Sequence, residues 1–97
     1  MIIIIGSARA RAESFEDLLA LSLEHVRRSR LEPGCLTHAV HIDAEDPLKL
    51  VFVERWSDRG AVAAHFAVPE SGEFVRAARE LALEPPKITL YEAVPVN

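Results

Sequence analysis

The chain has 97 residues, material for one hydrophobic core and too little for two, so residues 1–97 are expected to form a single domain. It carries 11 basic and 15 acidic residues spread along its length, a net charge of −4. With no basic face, neither nucleic acid nor an anionic membrane surface is expected as a partner. One cysteine, Cys35, cannot close an intrachain disulfide, which fits a reducing, cytoplasmic setting. A chain near this length buries only about 60 to 65% of its unfolded surface, so any leftover apolar face favours a second subunit.

The opening "MIIII" lacks a basic n-region and is too short for a leader core or a membrane span. Residues 2–5 are β-branched and apolar at both parities, which predicts a strand buried on both faces and ending near Arg9. Phe15, Leu18, Leu19, Ser22, Leu23 and Val26 recur at three- and four-residue spacings, predicting an amphipathic helix over residues 13–31. The cluster Arg27, Arg28 and Arg30 complements the negative end of that helix, and Pro33 and Gly34 stop it.

"CLTHAVHID" reads as a second strand, "AEDP" as a hairpin turn, and "LKLVFVERW" as the clearest strand of the chain. Its period of two puts Leu50, Phe52, Glu54 and Trp56 on one face, and Val51, Val53 and Arg55 on the other. Ser57 or Asp58 is a natural N-cap for a helix running to about Ala67. "VPES" interrupts it and starts another, with Phe74, Val75, Ala78, Leu81 and Ala82 as its apolar stripe. Pro85 and Pro86 close that helix, and residues 87–96 form a last strand.

The order β, α, β, β, split α, β is that of an α+β, ferredoxin-like fold with a four-stranded antiparallel sheet. Its helices cover one face only. The other face is apolar, and a second copy packed sheet against sheet would cover it.

The four histidines show no metal-ligand spacing, so no metal is expected. His38 and His41 are three apart on a strand and point to opposite faces, and His25 is read as solvated at the exposed end of its helix. Cys35 reads as a small hydrophobe. There is no G-x-S-x-G elbow, G-x-G-x-x-G or P-loop. His65, beside Phe66 on a helix over the sheet, admits two readings, a packing histidine or a general base in a pocket. Trp56 reads as a core aromatic with its indole N–H bonded. Glu54, on an otherwise apolar face, needs a partner or a pocket; Arg55, Arg76 or Arg79 could pair with it across a subunit boundary.

"FVERWSDRGAVAAHFAVPESGEF", with E-x-W, a short helix ending A-H-F and a Phe-bearing helix after x-x-P, resembles the antibiotic biosynthesis monooxygenase domain. The preceding "EPGCLTHAVHIDAEDPLKLVF" and the element order resemble it too. The resemblance implies a dimeric α+β barrel holding a small apolar cavity in each subunit. It also implies a monooxygenase that needs no cofactor, oxidising an aromatic quinol or polyphenol with O2. On that resemblance His65 is the base, while Trp56, Phe66, Phe74 and Glu54 line or back the substrate cavity. Strand one has no asparagine, His65 stands about where the haem-degrading branch has a tryptophan, and Ala77 and Ala78 lie near that branch's histidine, which disfavours haem degradation. A related autoinducer isomerase shares an E-x-x-x-D and A-x-x-x-H-like pattern. An isomerase or tautomerase of a small carbonyl compound, or a non-catalytic small-molecule-binding dimer, therefore stands as the alternative.

Overall fold

In the computed structural model, which describes residues 1–97, four strands and three helices follow the expected order. The strands are β1 (Ile2–Arg9), β2 (Cys35–Asp43), β3 (Asp46–Trp56) and β4 (Lys87–Glu92). The helices are α1 (Phe15–Ser29), α2 (Arg59–Ala67) and α3 (Pro69–Leu81), and a 3-10 turn, Ala12–Ser14, precedes α1. The sheet is antiparallel throughout, in the order β2-β3-β1-β4. This is the α+β, ferredoxin-like arrangement expected.

Differences from the expected boundaries have local causes. The turn between β2 and β3 is only Ala44 and Glu45, because Asp46 already pairs with Asp43. β4 ends at Glu92 rather than Val96, since its neighbour β1 starts opposite Glu92 and offers beyond it only Met1, whose carbonyl takes the Ala93 N–H and whose amino group donates to the Ala93 carbonyl. Asp58 caps α2 by accepting from the Ala61 N–H at 2.8 Å. Pro69 opens α3, where its missing N–H leaves no bond unmade.

All three helices lie on one face, over the even-numbered residues of β1 and β3. Ile4, Leu50 and Trp56 are completely buried there, packed with Leu18 and Val26 of α1, Val62 of α2 and Ala78 of α3 in two clusters. Within the single chain the odd-numbered face is open: Ile5 is 38% exposed, and Ile3, Val51 and Val53 are half-buried. The double burial expected of β1 is thus met on its even side alone. No helix is long and apolar enough to cross a membrane.

The connection from α1 to β2 fixes a detail the site depends on. Gly34 has φ +83°, a conformation that costs other residues energy, and its carbonyl accepts from the Ser57 N–H at 2.8 Å. A Cβ there would lie 2.5 Å from the Ala61 Cβ and 2.8 Å from the Ser57 Oγ. The loop therefore packs flush against the start of α2, carrying Glu32 with it. Gly34→Ala is expected to cost more than about 1 kcal/mol of stability, read from urea unfolding, because both the backbone conformation and the contact are lost.

Candidate active site

The centre of the helix-covered face is polar. Cross-strand register sets Glu54 of β3 opposite His38 of β2 on one side and Ile4 of β1 on the other. Glu54 is 7% exposed, and its Oε1 accepts the Trp56 indole N–H at 2.9 Å. His38 Nε2 approaches the same oxygen at 3.2 Å and His65 Nε2 at 3.9 Å. The partners of Glu54 are therefore an indole and two histidines of its own chain, where a cross-subunit arginine was the expectation. Burial pushes the Glu54 carboxyl up, but His38, the Trp56 N–H and His65 together outweigh it and hold the group below its usual range.

His65 is delivered by α2 and is 3% exposed. Its Nδ1 lies 2.9 Å from Oε1 of Glu32, whose side chain is 15% exposed. A carboxylate only accepts, so Nδ1 donates its N–H to Glu32, and in the neutral ring the Nε2 lone pair is left on the side of Glu54. A carboxylate so placed fixes the orientation of the imidazole, as a histidine acting as a base would require. Sequence reasoning missed Glu32: it lies in a loop, where no periodicity marks it, and its partner is 33 positions away.

His25 corrects the sequence reading. It was expected in solvent and is buried, 5% exposed, its ring stacked on Phe74 with centroids 4.1 Å apart and planes within 6°. The signal was available: Leu18, Ser22, His25 and Ser29 follow one another at four, three and four positions, and all face the core. Arg28 donates to His25 Nδ1 at 2.8 Å. Burial, then the neighbouring His38, His65 and Arg28, lower the His25 pKa to about 3, with Glu54 opposing.

A cavity of about 170 Å³ opens beside these groups, lined by His25, Glu54 and His65 together with Phe52, Phe66 and Phe74. Of the candidates named from sequence, His65, Glu54, Phe66 and Phe74 border this cavity. Trp56 does not. It is completely buried behind the site, its ring 4.5 Å from that of His65, and it acts on the cavity through the hydrogen bond to Glu54. His41 is exposed, away from the cavity, and burial raises the pKa of the Cys35 thiol, an effect Glu54 and Glu32 add to.

Such a site, a carboxylate-backed imidazole over a small apolar cavity on an antiparallel α+β sheet, suits proton transfer on a small molecule. Residues 1–77 match the antibiotic biosynthesis monooxygenase family, and the chain belongs to it. A Deinococcus radiodurans structure assigned provisionally to that family is 32% identical, covering 100% of this chain and 96% of that one with a TM-score of 0.95. Rv0793 from Mycobacterium tuberculosis shares the fold at 23% identity, 97% and 95% coverage and a TM-score of 0.90. The uncharacterized protein sll1783 of Synechocystis is 31% identical over 91 residues; the match takes in 94% of this chain and 62% of that protein's length.

The pH dependence of stability follows from His25. A histidine whose folded pKa lies below its unfolded value of 6.5 takes up protons preferentially in the unfolded chain, so stability falls as pH drops below about 6.5. Glu54, held below 4.5, adds its own loss only at lower pH. Between pH 6.5 and 4.5, urea midpoints of the wild type are expected to fall more steeply than those of His25→Gln.

Proposed function

We propose that the protein is a monooxygenase that oxidises an aromatic quinol or polyphenol with O2, using His65 as the base. The observation that carries this reading is the Glu32–His65 pair at 2.9 Å, with His65 bordering an apolar cavity. His65 Nε2 would take the phenolic proton. The resulting phenolate is electron-rich enough to reduce O2 itself, so the protein need supply only the base, the orientation and a dry site. In the overall change, one oxygen atom enters the product as a carbonyl and the other leaves as water with two hydrogens from the substrate.

Other groups support this reading. Phe66 and Phe74 offer flat apolar surfaces for an aromatic ring. Arg79 and Lys87 border the cavity and would favour a phenolate over the neutral phenol. Ser71 Oγ, also at the cavity, is buried without a hydrogen bond from the chain, and a substrate hydroxyl would satisfy it. The open sheet face, with Ile3, Ile5, Val51 and Val53, supports a homodimer packed sheet against sheet. An isomerase would use the same imidazole; oxygen dependence separates the two.

Oxygen uptake by the purified protein with a panel of quinols and anthrones, corrected for autoxidation, tests the proposal. Protein-dependent uptake should fall by about 10²-fold or more in His65→Ala, the loss expected for a general base. Uptake no faster than autoxidation across the panel would count against an oxygenase, and turnover unchanged in His65→Ala would remove His65 from the role of base.

A further inference from the structure

His38 is the group that the proposed oxidation does not use. Its side chain is completely buried, yet Nδ1 has no partner and Nε2 meets only Glu54 Oε1, at 3.2 Å and poorly aligned. Such a ring is incompletely satisfied, which buried polar groups seldom are. It is also not alone. α1 supplies His25 and α2 supplies His65, and one ring nitrogen from each of the three histidines lies within 4.8 Å of the others. The ring centroids form a nearly equilateral triangle, with sides of 5.4, 5.4 and 5.7 Å.

We propose that His25, His38 and His65, with the Glu54 carboxylate beside them, bind a divalent first-row transition ion such as Zn2+. Tetrahedral bonds of about 2.0 to 2.1 Å set donor atoms about 3.3 Å apart. The His38–Glu54 edge already has that spacing at 3.2 Å, and the His65–Glu54 edge at 3.9 Å closes with a small side-chain rotation. Glu32 on His65 Nδ1 is the outer carboxylate that ligating histidines usually have, holding Nε2 free for the ion. Three imidazoles select zinc, cobalt, nickel, copper or iron over magnesium and calcium, which prefer oxygen donors.

One contact opposes the ion. Arg28 donates to His25 Nδ1 at 2.8 Å and brings positive charge against the site. Its removal therefore strengthens binding, an effect a purely structural arginine would not have. The ion and a substrate proton also compete for the same His65 lone pair, so bound Zn2+ would suppress turnover. Binding itself does not rest on the oxygenase reading.

Cobalt is the probe, since Co2+ in a nitrogen-rich tetrahedral site absorbs visible light and needs no substrate. Chelator-treated protein titrated with CoCl2 in excess Mg2+ should develop that absorption and lose it when Zn2+ is added. Glu32→Gln should weaken the affinity by about 10- to 100-fold. His38→Gln should abolish the absorption and His41→Gln, on the exposed side of β2, should retain it. Arg28→Ala keeps every ligand and should bind more tightly, which decides the matter if His38→Gln fails to fold by circular dichroism. No absorption in the wild type, equal affinity in folded His38→Gln, or an Arg28→Ala variant that binds no more tightly than wild type overturns the proposal.

Discussion

A carboxylate buried on the apolar face of a sheet is the constraint around which this molecule is arranged. Glu54 is nearly as enclosed as the isoleucines and leucines beside it, and an unpartnered charge there would be strongly destabilising. The fold supplies partners from three directions. Trp56 lies two residues further along β3, so its indole N–H reaches back on the same face. His38 is the cross-strand neighbour, fixed by the β2–β3 register, and His65 descends from the helix that follows β3. A slip of one residue in that register would turn His38 outward and leave Glu54 without its histidine.

The same arrangement sets aromatic rings beside the polar groups of the site. α2 and α3 are joined at Val68, which serves as C-cap of one and N-cap of the other. The bend brings Phe66 and Phe74 around the cavity while His65 is held inside it. Glu32 completes the unit, carried by a loop whose Gly34 fits closely against α2. Two carboxylates thus flank one imidazole, Glu32 at Nδ1 and Glu54 towards Nε2, in surroundings where water is scarce and such interactions are stronger than in solvent. The proposed proton transfer and the proposed metal binding would draw on that same lone pair.

Much of this was legible in the sequence because strands and helices advertise their period. The alternation in "LKLVFVERW" assigned Glu54 and Trp56 to one face, and a carboxylate on that face announced a need for partners. What periodicity cannot give is the identity of partners from other elements. Alternation sets His38 and His41 on opposite faces, but only the sheet register and the helix placement show that His38 joins His65 in the interior while His41 is exposed. His25 was within reach of helical periodicity, which puts it on the buried stripe; its nearness to the arginine-rich end of α1 concealed that. Glu32, beside a proline in a loop, had no local signal at all.

The central claim is that His65 is held by Glu32 with its proton on Nδ1 and its Nε2 bare towards the cavity. Two-bond ¹H–¹⁵N correlation spectra of the histidine side chains in the ligand-free, metal-free protein read that tautomer directly. The neutral His65 ring should show the hydrogen on Nδ1, and Glu32→Gln should shift that signal. A neutral ring carrying its hydrogen on Nε2, unaffected by Glu32→Gln, would contradict the account, since no base would then face the cavity.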